Sequence, residues 1–167
     1  MSSSTSAAYK ERTVSFVTDD GMELNLIHIR GEKTPDKGPV ILVHGAGVRA
    51  NIYRAPVETS IVDALISEGY DVWLENWRGS IAFAPNLWTL DQAALYDHPK
   101  AVQTILAETG ESSLKAIIHC QGSTSFMMSA VAGLVPGLSN QGVDPKKYDK
   151  GSVLISFFKP TGIVGQP

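Results

Sequence analysis

Apolar and polar residues alternate in "RTVSFVT" and again in "MELNLIHIR", on either side of "DDG". That alternation around a turn predicts a β-hairpin, with strands near 12–18 and 22–30. "PVILVH", bounded by Pro39 and Gly45, is a continuous β-branched run. Such a run suits a strand covered on both faces, as in a parallel sheet. "YDVWLEN" and "LKAIIH" have the same character. Between these runs the period changes to that of a helix. Ile61, Val62, Leu65 and Ile66 predict a helix over 57–68, stopped at Gly69. Asp91 to Tyr96 predicts a short helix, punctuated by Asp97 and Pro99 because proline disfavours a helical residue before it. Ala101, Val102, Ile105 and Leu106 mark a helix ending near Gly110, and Phe126, Met127, Ala130, Val131 and Leu134 mark the apolar stripe of another.

A hairpin followed by strand–helix repeats predicts an α/β fold, a mostly parallel sheet with helices on both faces. The organisation read from the chain is a disordered tail over 1–11, one core domain over 12–135, a loop or linker over 136–151, and an extra strand with an irregular tail over 152–167. The 167 residues make about one domain. The net charge of -3 offers no electrostatic case for nucleic acid. No apolar run is long enough for a membrane span. The polar start has no signal-peptide core, and a single cysteine forms no internal disulfide, so a reduced, cytoplasmic protein is expected. Zinc-ligand spacing is absent.

Two stretches carry candidate chemistry. In "AIIHCQGSTSF" a strand-like run meets a helical pattern at Cys120, the only cysteine of the chain. This is the outline of a strand–sharp turn–helix unit carrying a nucleophile; the alternative is a small buried cysteine at a strand end. A thiol at a helix start is favoured as thiolate. In "VHGAGVRA", Gly45, Gly47 and Ala50 match G-x-G-x-x-A, with Glu75 where a ribose-binding acid belongs in a dinucleotide site. Against that, Asn51 and Pro56 interrupt the expected helix. The same residues also suit an oxyanion-hole turn, with Ala46 as donor, or a tight turn without a ligand.

Together these pieces resemble the α/β-hydrolase family, its acid-lipase branch in particular. "VILVHGAG" is similar to the strand and oxyanion turn, and "GYDVWLENWRGS" to the G-Y-D-V-W-x-x-N-x-R-G stretch of those lipases. Tyr96-Asp97-His98-Pro99 matches their Y-D-x-P step, and "IHCQGS" occupies the place of their G-H-S-Q-G elbow. A narrower similarity is to hydrolase-like domains found with cholesterol-oxidase-type flavoenzymes, where a cysteine elbow is also seen. The resemblance covers about residues 12–135, the N-terminal half to two-thirds of that fold. It implies an ester or thioester hydrolase acting through an acyl-Cys120 intermediate, with the N–H groups of Gln121 and Ala46 holding the oxyanion. Small esters or lipid-like molecules are the implied substrates, and no cofactor is implied. His44 is then expected to brace the turn by hydrogen bonding.

The departures from the family pattern set further expectations. Some members, such as dienelactone hydrolases, also use cysteine. Ile118 stands where G-x-S-x-G has its first glycine, and a bulky side chain there opposes the tight elbow geometry. The family order is nucleophile, acid, histidine, yet His28, His44, His98 and His119 all precede Cys120. Asp144 and Asp149 follow it in a linker-like stretch. His98 is the one substitute base to consider, against a surface or capping role beside Pro99. His119 is expected to point away from the thiol, and Asp97 to cap a helix. Trp77 and Arg78 are expected either at the site entrance or, for Arg78, paired with a carboxylate. The alternative to catalysis is a truncated hydrolase-like domain that self-associates or pairs with a second chain completing its sheet.

Overall fold

The structure, a computed structural model, describes residues 9–136. The readings made for 137–167 lie outside the described residues. Strands β1 (Lys10–Val17) and β2 (Glu23–Arg30) form the expected hairpin, with β1 starting inside the stretch read as a tail. Strand β3 (Pro39–Val43) is followed by a single 3-10 turn, Ala50–Arg54, and by helix α1 (Ile61–Ser67). Ser60 starts α1 through a capping box with Asp63, so the helix begins later than its apolar periodicity suggested. Strand β4 (Asp71–Asn76) follows, and β5 (Lys115–Ile118) runs into helix α4 (Cys120–Val131).

The segment between β4 and β5 departs from expectation. Helix α2 (Leu90–Gln92) passes through a π-helical turn, Ala93–Asp97, directly into α3 (His98–Thr109). Asp97 and Pro99 therefore do not break the helix. The wider turn precedes Pro99, which falls at the start of α3, where a missing N–H is tolerated. Gly110 then ends α3 in the left-handed conformation.

The five strands lie in the order β1-β2-β4-β3-β5. Strands β1, β2 and β4 pair antiparallel, whereas β3 pairs parallel with both β4 and β5. Side chains alternate across this sheet. Leu24, Leu26, Ile41, Val43, Trp73 and Ala116 face one layer, with Val102 and Ile105 of α3 and Phe126 of α4. Ile29, Val40, Leu42, Val72, Leu74 and Ile117 face the other, with Val62 and Leu65 of α1. Helices thus cover both faces. The chain leaves β3 toward β4 on one side and later returns to β5 on the other. The carboxyl ends of β3 and β5 therefore form a topological switch point, where α/β sheets bind their ligands.

The buried stripe of α4 also differs from the apolar one. It consists of Gly122, Ser125, Phe126, Ser129 and Ala130, while Val131 is 66% exposed. Small residues line this face because the helix lies close against β3: a Cβ on Gly122 would stand 2.1 Å from the carbonyl oxygen of His44.

Candidate functional site

Cys120 sits where β5 turns into α4 at the switch point. Its φ is +54°, and it is the only non-glycine residue among those described in the left-handed region. Such a backbone costs of order 1–3 kcal/mol and persists only where its surroundings hold it. Here the surroundings are a strand and a helix separated by His119 alone. His119, extended at φ -135°, is the residue before the helix, and its N–H donates to the Val43 carbonyl at 3.0 Å. Tyr53 donates its hydroxyl to the same carbonyl at 2.6 Å. The thiol of Cys120 is exposed, not buried at a strand end.

The crowding expected at Ile118 does not arise. Its side chain lies half-buried in the α3 and α4 layer, packed against the core there. Space is needed elsewhere. A Cβ on Gly45 would stand 2.8 Å from Cys120 Cβ and 3.3 Å from its Sγ. The turn after β3 and the turn after β5 are therefore in contact, glycine against thiol. Ala46 follows the first contact residue in the chain and Gln121 follows the second. The amides of the first turn of α4 have no intrahelical acceptor by position. Such N–H groups beside a nucleophile have the chemistry of an oxyanion hole. His119 flanks the same glycine, with Nδ1 3.5 Å from that Cβ position, and its side chain is exposed.

His44 is fully buried beneath this turn. Burial pulls its pKa below the ordinary imidazole value, so the neutral ring is favoured. Its Nδ1 lies 2.6 Å from the Gly45 carbonyl, an acceptor only, so Nδ1 carries the hydrogen. Its Nε2 has no hydrogen-bond partner among the described residues. Trp77 is also buried and donates Nε1–H to the His44 carbonyl at 2.8 Å. Trp77 therefore supports the turn from below and does not line an entrance.

Arg78 and Asp97 are likewise buried, at 3% and 0% exposed. The Arg78 guanidinium forks onto Asp97, with Nη2 to Oδ1 at 2.7 Å, and onto Asp20 in the hairpin turn at 2.9 Å. The main-chain N–H of Arg78 also donates to Asp97 at 2.9 Å. Asp97 is thus the anchor of a buried ion pair and makes no capping bond to α3. Burial raises the Asp97 pKa, and the bonds from Arg78 oppose that rise.

His98 is neither at the surface nor a cap. It is 0% exposed, and both ring nitrogens are engaged: Nδ1 with the Glu75 carboxylate at 3.0 Å and Nε2 with Ser125 Oγ at 2.7 Å. The structure brings together Cys120, Gly45, Ala46, Gln121 and His44, and holds His98 in the core beneath them. Glu75, which a dinucleotide site would place on a ribose, is buried against His98. Ser125 carried no signal in the sequence: a serine mid-helix is indistinguishable there from a solvated one.

No family model matches the chain. It is 28% identical over 150 residues to sterol esterase 2 of Saccharomyces cerevisiae, covering 80% of this chain and 27% of that protein. It is 35% identical over 126 residues to mouse lipase member K, covering 65% and 31%. With human gastric triacylglycerol lipase it shares 31% over 133 residues, covering 70% and 33%. The chain thus spans about a third of the length of the curated relatives it matches. Among solved structures, the esterase Pf2001 of Pyrococcus furiosus superposes with a TM-score of 0.60 at 18% identity, covering 78% of this chain and 47% of that one. Brefeldin A esterase, a bacterial homologue of human hormone-sensitive lipase, does so with a TM-score of 0.54 at 16% identity, covering 77% and 37%. With its hairpin, its mixed sheet and its strand–turn–helix elbow, the chain belongs to the α/β-hydrolase family and carries the N-terminal part of that fold.

Proposed function

We propose that the chain carries the nucleophile and oxyanion side of a carboxylic-ester or thioester hydrolase. The observation that carries this reading is the exposed thiol of Cys120 at a left-handed backbone position, held against Gly45. The Cys120 thiolate attacks the carbonyl carbon, forming an S–C bond while the carbonyl electron pair moves to oxygen. The N–H groups of Gln121 and Ala46 stabilise that oxyanion. Its collapse breaks the bond to the leaving alkoxide or thiolate and leaves acyl-Cys120. Water then attacks the acyl group, releasing the carboxylic acid and the thiol. The names of the relatives, sterol esterase and triacylglycerol lipase, support an ester with a lipid-like acyl or alcohol part as substrate.

No histidine of the chain follows Cys120, and His98 has both nitrogens occupied. Acylation is therefore expected to be easiest with activated esters and thioesters, whose leaving groups depart without a proton. Incubation with a short-chain 4-nitrophenyl ester should release a burst of one equivalent of nitrophenol and add one acyl mass to Cys120. Cys120→Ala should abolish both. A burst of equal size in Cys120→Ala would overturn the nucleophile assignment.

One observation favours a second reading, a non-catalytic domain that associates with another chain. Strand β5, which leads into the elbow, is hydrogen-bonded on one side only among the described residues. An open edge of this kind is a template for pairing. Light scattering separates the two: a stable monomer at all concentrations counts against association.

A further inference from the structure

Beneath the elbow, an acid, an imidazole and a hydroxyl are enclosed in the layer between the sheet and helices α3 and α4. Glu75 of β4, His98 of α3 and Ser125 of α4 are each 0% exposed. His98 Nδ1 lies 3.0 Å from both Glu75 carboxylate oxygens, and its Nε2 lies 2.7 Å from Ser125 Oγ. The same Oγ is 3.3 Å from the carbonyl oxygens of Gln121 and Gly122, in the first turn of α4. Trp77 and Phe126 flank the imidazole, with ring centroids 5.9 and 5.4 Å away.

Apolar residues of similar volume could fill this space without the desolvation cost of buried polar groups. What they could not supply is direction. Apolar contact is roughly proportional to area and indifferent to small slides, whereas a hydrogen bond weakens steeply away from its preferred length and angle. Helix α4 gains from such a constraint, because Phe126 is the one bulky residue of its buried face, and Gly122, Ser129 and Ala130 add little to fix its rotation. The relay links three elements, and its last member contacts the carbonyl of the residue whose N–H faces the oxyanion.

We propose that Glu75, His98 and Ser125 are positioning residues of the elbow, fixing the rotation and axial position of α4 so that Cys120 and the Gln121 N–H align with Ala46. None of the three touches the substrate. The catalytic consequence rests on the acyl-Cys120 reading; the positional one does not.

The test compares the wild type with Ser125→Ala, which removes one oxygen and adds no bulk. Two rates are measured on Cys120: acylation by a 4-nitrophenyl ester, which uses the oxyanion donors, and alkylation by iodoacetamide, which does not. Ser125→Ala should slow acylation about tenfold, the scale of a small misplacement of reacting groups, and leave alkylation within about twofold. In parallel, the amide resonances of Gly45, Ala46 and Cys120, none hydrogen-bonded to the Ser125 hydroxyl, should shift. Acylation and alkylation falling together, or neither changing while the amides stay in place, overturns the proposal. Should wild type and Cys120→Ala acylate equally, the hydrolase reading fails; the amide resonances then decide the relay alone, with unmoved resonances refuting it.

Discussion

At the scale of single residues, the elbow is a compromise between reactivity and backbone strain. The left-handed conformation costs an L-residue roughly 1–2 kcal/mol, and glycine escapes that cost. Cys120→Gly is therefore expected to be more stable than Cys120→Ala by about 1 kcal/mol in urea denaturation, although both lack the thiol. Equal stabilities would mean that the positive φ stores no strain. Gly122 has the opposite constraint. Its missing Cβ is what lets α4 approach the carbonyl of His44. Gly122→Ala should cost about 2–4 kcal/mol, the range of overpacked core substitutions and somewhat beyond, seen as a lowered thermal midpoint. The sequence motif exposed Cys120, Gly122 and Gly45 as a set. It could not show that Ile118 is harmless, because that depends on which face of the sheet its side chain joins.

At the scale of elements, Arg78 joins three pieces that lie apart in the chain. It ties the loop after β4 to the hairpin turn through Asp20 and to the π-helical turn through Asp97. Removing one partner of a buried ion pair leaves the other charged and unpaired, which costs about 3–5 kcal/mol. Arg78→Ala should lose about that much in urea denaturation, and Asp97→Ala less, because Arg78 then keeps its two bonds to Asp20. The double variant should lose clearly less than the sum, since each single change already breaks the same bond. Additive losses would show that the two residues act separately. Periodicity placed the helix after Pro99 but split it from the short helix over 91–96, since proline disfavours a helical residue before it. The π-helical turn that makes the two continuous is chosen by burial of Ala93, Ala94 and Asp97, which is a tertiary demand.

At the scale of the whole molecule, the far end of the sheet carries a second polar cluster, built around the buried carboxylate of Asp71. Asp71 meets His28 Nε2 at 2.7 Å, Arg30 Nε at 2.8 Å and Trp73 Nε1 at 2.9 Å. Burial pushes its carboxyl pKa up, but these three bonds together outweigh burial and bring it from 3.8 to about 2. A carboxylate whose pKa is depressed on folding adds stability that is present above its unfolded value and lost as pH falls through the folded one. Global stability should therefore drop by about 2 kcal/mol from this group between roughly pH 4 and pH 2. In Asp71→Asn that part of the acid limb should disappear; an unchanged limb would assign acid sensitivity to other carboxylates. The local sequence determined the hairpin, the buried strands, the helices between them and the position of the elbow, because periodicity and turn chemistry act over a few neighbouring residues. Only the tertiary structure decided the order β1-β2-β4-β3-β5, the contact of Gly45 with Cys120, and the burial of His98 between Glu75 and Ser125. Those depend on which distant segments share a face, and a hydrogen-bonding side chain reads alike in sequence whether water or another side chain satisfies it.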